Sequence, residues 1–230
     1  NRHIIGAARW LERVTYHRSA AITVLSDDLA DNVRAKVKRG AAERVHMIPN
    51  FVDTEAIRPA DRSTAYRRDL GIGDEPVVMY AGNVGYSQSL GLLIEAARAM
   101  PQVTFVVNGG GSARPSLEGE AAGLANVRFG DFQPSERLGE VLATADLHLV
   151  PLRTGLGRVS VPSKTYSILA SGRPILAAVD PGTEVPRILA ASGAGVSVLP
   201  DRADLFVAAL ADLLADPVVL ERRGAAGRRW

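Results

Sequence analysis

The sequence predicts an α/β fold, a parallel sheet covered by helices on both faces, and three observations carry that prediction. Short β-branched runs alternate with longer amphipathic ones along nearly the whole chain, the pattern of strands joined by crossover helices. Apolar residues make up 47% of the 230 and aromatics only 5%, so Leu, Val, Ile and Ala must fill a sizeable core. Glycine-bearing turns follow three of the strand runs, on the edge where an open parallel sheet binds its ligands.

The elements follow in order. A helical pattern over residues 5–18 places Ile4, Ile5, Leu11 and Val14 on one apolar face. The run 21–25 reads as a strand. Ser26 then supplies a cap, and Asp27 and Asp28 first-turn acids, for a helix over 27–38. Asp27, Asp28 and Asp31 have the density of a metal site, but the same residues are ordinary helix-start chemistry. A second strand is predicted at 45–48. Between 51 and 74 no strand pattern appears and the composition turns to Pro, Asp, Arg and Ser, which marks a connecting segment. A regular series then starts, with strands at 76–81, 103–108, 127–129, 147–151, 174–179 and 196–199. Helices at 90–100, 112–123, 135–144, 163–171 and 184–191 alternate with them, and a last helix pair over 203–229 packs back across the sheet. The expected divisions are 1–50 as the tail of one α/β unit, 51–75 as a linker, 76–200 as a second unit and 201–230 as terminal helices.

Composition excludes several functions. The formal charge is +2, with 27 basic residues against 25 acidic, so the chain lacks the one-sided charge of a nucleic-acid binder. No cysteine is present, which removes disulfides and thiolate-held metals. No apolar run approaches the ~18–20 residues of a membrane helix. The first residue is Asn, and Arg228-Arg229-Trp230 ends inside a helical pattern, as expected of a fragment of a longer polypeptide.

The segment 161–177 is the most informative. Pro162 fixes φ where a helix begins, Ser163 is placed to cap free amides, and Gly172 permits a left-handed exit. Lys164 sits in the first turn, where a cation does nothing for the helix itself; beside exposed amides it suits a phosphate or diphosphate. Gly82-Asn-Val-Gly85, Gly109-Gly-Gly111 and the pair Gly155 and Gly157 follow strands and either make tight turns or let amides approach a phosphate. They lack the G-x-G-x-x-G order of the dinucleotide fingerprint. His3, His17, His46 and His148 lack metal-ligand spacing, and His148 reads as a hydrogen-bonded histidine in a strand. Arg222, Arg223, Arg228 and Arg229 read as a solvated helix face.

These motifs together resemble the C-terminal half of the family 4 glycosyltransferases, which share the two-domain GT-B fold with Rossmann-like sheets. The resemblance runs from Ala21-Ile-Thr-Val-Leu-Ser26 and Val45-His-Met-Ile-Pro-Asn-Phe-Val-Asp53 through Met79-Tyr-Ala-Gly-Asn-Val-Gly85 and Val106-Val-Asn-Gly-Gly-Gly111. It continues through Val127-Arg-Phe-Gly-Asp-Phe132, Ala145-Asp-Leu-His-Leu-Val-Pro151, the 161–177 segment and Gly193-Ala-Gly195. It implies a cytoplasmic enzyme, peripheral to the membrane in the full-length protein. Such an enzyme moves a sugar with retention from a nucleoside diphosphate sugar, UDP-linked, to a glycan or lipid-linked acceptor of surface polysaccharide synthesis. Neither metal nor cofactor is implied.

By resemblance, residues 1–50 belong to the acceptor domain and 76–200 bind the donor. Lys164 and Glu184 are the catalytic candidates; Glu184 is either a sugar contact or only a first-turn dipole partner. Gly82, Asn83, Gly85, Gln88, Gly109, Gly110, Arg158, Pro162 and Ser163 line the donor, Asp131 and Phe132 border the base, and Ser167 offers a hydroxyl to the ribose. The chain departs from the family where two glutamates usually stand eight apart: Val159 and Ser167 occupy those places. Asn83 and Gln88 replace the usual Arg and Lys of the first turn, so Lys164 and Arg158 must offset the diphosphate charge. Two alternatives remain at this level, a nucleotide-sugar binding domain without turnover and a UDP-sugar epimerase of the same fold. The 230 residues alone are expected to bind nucleotide weakly, to catalyse nothing, and to self-associate through the Ile4, Ile5, Leu11 and Val14 face.

Overall fold

A computed structural model describes residues 2–230, the side chain of Arg39 excepted, and the chain divides into two compact units, Asn1–Asn50 and Phe51–Trp230. The first unit runs α1 (Arg2–Arg18), β1 (Ile22–Val24), α2 (Asp27–Arg34), α3 (Arg39–Ala42) and β2 (Val45–Met47). The two strands pair in parallel with Ile22 opposite Val45. Ser26 caps α2 as its type requires: its backbone is extended and its Oγ accepts from Leu29 N at 3.3 Å. A small core of Ile22, Val24, Ala30, Val33 and Val45 holds the unit together. No residue of α1 is buried, and Ile4, Ile5, Trp10 and Leu11 are each more than half exposed, between 54% and 68%.

The second unit carries a six-stranded sheet. Its elements are α4 (Ala65–Asp69), β3 (Val77–Ala81), α5 (Gly91–Ala99), β4 (Thr104–Asn108), α6 (Arg114–Glu120), β5 (Val127–Gly130), a short 3-10 turn and α7 (Leu138–Thr144). Then come β6 (Leu147–Pro151), α8 (Lys164–Ala170), β7 (Ile175–Ala178), α9 (Glu184–Ser192), β8 (Gly195–Val198), α10 (Ala203–Leu214) and α11 (Pro217–Arg229). The order across the sheet is β5-β4-β3-β6-β7-β8, every pair parallel. This is the doubly wound order, with its topological switch between β3 and β6.

Period-two alternation explains why both faces are covered. In β3, Val78 and Tyr80 enter the core shared with α5 and α10, whereas Val77 and Met79 enter the one shared with α4 and α7. In β7, Leu176 and Ala178 face the α10 side while Ile175 and Ala177 face α8 and α9. All eight predicted strands are present, as are helices at each predicted place, with ends shifted by a few residues in either direction. Gly172 has φ +70° and ends α8 in the predicted left-handed conformation.

The segment 51–75 packs on this second unit and contains α4. Thr64 Oγ1 caps that helix, accepting from Arg67 N at 3.0 Å, and Arg67 is buried with its guanidinium donating to the carbonyls of Gly73 and Thr144. Five residues are too few for a periodicity to show. The terminal basic cluster is not wholly a solvated face. Arg222 and Arg229 are exposed, but Arg228 donates to the carbonyls of Thr54, Ile57 and Ala170, each at 3.0 Å, and Arg223 donates to those of Gly193 and Gly195. Both compensate carbonyls that α11 covers. Among the described residues no helix is long and apolar enough to cross a membrane.

Candidate functional site

The switch between β3 and β6 places the turns after these strands and after β4 on one edge. There a cleft of about 240 Å³ is bounded by Ala81, Gly82, Asn108, Phe132, Ser163, Lys164 and Ser167, with Leu138, Val141 and Leu142 as an apolar wall. The structure therefore brings Gly82, Phe132, Ser163, Lys164 and Ser167 together from three segments, the turns after β3 and β5 and the start of α8.

Lys164 dominates the site. Its Nζ lies 3.6 Å from the centroid of the Tyr80 ring, and a Cβ built on Gly82 would approach it to 2.7 Å. Among the described residues no carboxylate lies within ion-pair distance of this ammonium. Burial without a partner depresses its pKa to about 7. The ring face of Tyr80 compensates part of the lost hydration. Tyr80 is itself held by donating to the Asn83 carbonyl at 2.5 Å, and burial raises its own pKa. Gly82 is required twice, for its φ of +138° and for the room it leaves the ammonium.

The start of α8 differs from expectation. Ser163 takes helical angles, φ −59° and ψ −28°, and its side chain makes no capping bond. Thr165 N instead donates to the Pro162 carbonyl at 3.1 Å, so Pro162 opens the turn and Ser163 continues it, leaving its hydroxyl at the cleft. Because α8 has only seven residues, its dipole is small and any bound anion relies chiefly on Lys164.

The glycine turns also correct the sequence reading, because most of their amides are already used. Gly82 N donates to Asn108 O, Val84 N to Gly110 O, and Gly109 N to Gly130 O, at 2.8–2.9 Å. Gly85 N donates to the Gln88 side chain at 3.0 Å. Gln88 thus closes its own turn, with the Asn83 amide beside it. Gly155 N and Gly157 N both donate to the Asp180 carboxylate, at 2.9–3.0 Å. A carboxylate of the chain fills the place expected for phosphate there. The amides of Asn83, Gly110 and Gly111 have no acceptor among the described residues, so the first two turns keep three donors between them.

Of the remaining candidates Phe132 borders the cleft and the others lie apart from it. Phe132 is 61% exposed, with its ring over Gly109 and Gly110. Asp131 projects to solvent and is held by Arg114 at 2.6 Å. Arg158 is exposed on the β6–α8 loop. Glu184, in the first turn of α9, pairs with Arg187 at 2.9 Å and lies near enough to Tyr166 of α8 to help raise its pKa, after burial. His148 is fully buried and bonds Leu142 O at 2.9 Å, the ordinary strand histidine that was anticipated; burial lowers its pKa to about 4. Sequence reasoning missed Tyr80, Asn108, Asp180 and Asp201. A tyrosine or asparagine at the carboxyl end of a buried strand was the available signal for the first two.

Comparison with known proteins identifies the family and the fold. A family model described as glycosyl transferases group 1 matches residues 75–216. Alpha-D-kanosaminyltransferase of Streptomyces kanamyceticus is 30% identical over 226 residues, covering 94% of this chain and 56% of that protein. The putative colanic acid biosynthesis glycosyl transferase WcaI of Escherichia coli is 30% identical over 215 residues, 90% of this chain and 52% of its own length. Anabaena HepE, solved in complex with UDP-glucose, has the same fold with a TM-score of 0.78 at 19% identity, over 96% of this chain and 62% of that one. The chain spans about half the length of the curated relatives it matches, and its structural neighbours are of the GT-B type. Since the family match takes in every loop of the cleft, the chain belongs to the group 1 glycosyl transferases.

Proposed function

We propose that the full-length protein is a retaining glycosyltransferase that takes its sugar from a UDP-linked donor and passes it to a glycan or lipid-linked acceptor in bacterial surface polysaccharide synthesis. One observation carries the reading: a buried ammonium, Lys164, stands without a counter-charge at the carboxyl-edge switch point, which favours an incoming diphosphate. The UDP-glucose bound by HepE supports the choice of donor, and the colanic acid assignment of WcaI supports the class of product.

In this reading the bond from the anomeric carbon to the diphosphate oxygen breaks as an acceptor hydroxyl attacks, and the hydroxyl proton passes to the departing phosphate. Lys164 and the free amides of Asn83, Gly110 and Gly111 stabilise the charge that develops on the diphosphate. Asn83, Gln88 and Ser163 border phosphate or sugar, and Phe132 borders the base above the Gly109–Gly110 turn. Ser167 offers the ribose one hydroxyl in place of a carboxylate, and Glu184 contacts the transferred sugar once the pair with Arg187 opens. Residues 76–200 are the donor-binding domain, 51–75 the linker and 1–50 the tail of an acceptor domain, and the protein acts in the cytoplasm against the membrane face. Chemistry requires donor and acceptor to be held and aligned together, so residues 1–230 alone bind nucleotide weakly and transfer nothing.

The test is UDP titration by calorimetry into the wild type and Lys164→Ala, followed by a transfer assay on the longer polypeptide. Equal affinities would reject the role of Lys164. A second reading, binding without turnover, is favoured by Ser167 standing at the cleft where a family glutamate is usual. Tight UDP binding without transfer across a broad acceptor screen would select it.

A further inference from the structure

We propose that Asp201 is a positioning residue that locks together the two loops bounding the diphosphate end of the donor site, an inference that rests on the nucleotide-sugar reading above. Asp201 follows β8 at the far edge of the sheet, yet its carboxylate reaches back over the carboxyl edge to both loops. One oxygen accepts from Ser89 Oγ, adjacent to Gln88 in the loop after β3. The other accepts from both Thr154 N and Thr154 Oγ1 at 2.9 Å, in the loop after β6. A backbone bond from Arg153 N to Ser87 O, 3.0 Å, joins the same two loops beneath it.

The backbone at Asp201 marks the contact as selected. It is the only non-glycine residue among those described with positive φ, +56°, a conformation that costs an L-residue free energy unless the surroundings demand it. Asp180 completes the clamp by holding Gly155 N and Gly157 N, and a Cβ on Gly157 would crowd Thr183 Oγ1 at 3.0 Å and the Asp180 carboxylate at 3.1 Å. Two carboxylates from the turns after β7 and β8 therefore fix the amides of Thr154, Gly155 and Gly157. The loop bearing Arg158 is set in shape, and Asp201 ties that shape to the turn bearing Asn83, Gly85 and Gln88. A site that must align a flexible diphosphate gains from such preorganisation before the ligand arrives.

Three variants separate the side chain from the backbone. Asp201→Gly keeps the left-handed conformation but removes the clamp. Asp201→Asn keeps both, because its oxygen can serve Thr154 while its amide donates to Ser89 Oγ. Asp201→Ala loses both. Hydrogen exchange on the ligand-free chain should show the amides of 84–90 and 153–158 opening together in Asp201→Gly and staying protected in Asp201→Asn. UDP affinity should fall roughly fivefold in Asp201→Gly and Asp201→Ala and less than about twofold in Asp201→Asn, as for coupling across one contact network. Unchanged exchange in either loop of Asp201→Gly overturns the proposal. So does accelerated exchange in both loops with UDP affinity unchanged. Failure of the wild type to bind UDP, with the loops still coupled, overturns the donor reading on which the role depends.

Discussion

If burial depresses the Lys164 ammonium and no counter-charge offsets it, UDP binding must be linked to proton uptake. In the free protein its pKa is depressed to about 7 by burial. A bound diphosphate restores the favourable field and returns the ammonium to its ordinary value of ~10.4 or above. Binding then requires the protonated form, and the dissociation constant rises with pH as the free-state lysine deprotonates. Between pH 7 and pH 9 these two values predict a loss of affinity of roughly 50-fold, since at pH 9 only about 1% of the free protein carries the charge. The terminal phosphate of UDP, with a second pKa of ~6, is already ionised across this range and contributes nothing to the slope. At pH 8 about 0.9 proton should be taken up per UDP bound. Calorimetry in buffers of different ionisation enthalpy measures this number directly, and Lys164→Met should show weaker binding with a flat pH profile. Wild-type affinity that is constant from pH 7 to 9, with no proton uptake, would refute the argument.

Further outcomes follow from the same geometry. Lys164→Met should raise the melting temperature of the ligand-free protein at pH 7 by roughly 2–6 °C, because an uncompensated charge is removed; scanning calorimetry checks it. His148 is neutral in the fold at pH values where an unfolded histidine is charged, so stability present above pH ~6.5 is lost as pH falls towards about 4. The loss is up to about 3 kcal/mol, and urea denaturation of His148→Leu should lack this part of the slope. Arg228→Met leaves the carbonyls of Thr54, Ile57 and Ala170 without their donor and should cost about 2 kcal/mol in urea denaturation, whereas Arg229→Met should cost almost nothing. The exposed Ile4, Ile5, Trp10 and Leu11 of α1 should drive self-association of the 230-residue chain, so sedimentation should show a larger species that Leu11→Glu returns to monomer.

The fold was legible because its elements are of the kind that leave a pattern. Buried strands such as Val103 to Val107 and capped helices such as the one begun by Ser26 state their type locally. α4 did not, since it is one turn long and is fixed by Thr64 and by a buried arginine whose partners are distant carbonyls. The site divides along the same line. Lys164, Gly82 and Ser167 could be named because residue type and position on the carboxyl edge were enough. Whether a glycine amide is free could not be read, because that depends on which distant carboxylate or carbonyl has taken it. Asp180 looked like a loop residue before α9, and only folding places it on Gly155 and Gly157. The C-terminal arginines misled for the same reason, since Arg228 finds carbonyls more than fifty residues away in sequence.

The most direct test of the account is a crystal structure of the protein with UDP bound. A diphosphate oxygen is expected within about 3 Å of Lys164 Nζ, with the base over the Gly109–Gly110 turn beside Phe132 and the ribose at Ser167. A nucleotide bound elsewhere, or one in this cleft with the Lys164 ammonium still resting on Tyr80 and touching no phosphate, would contradict it.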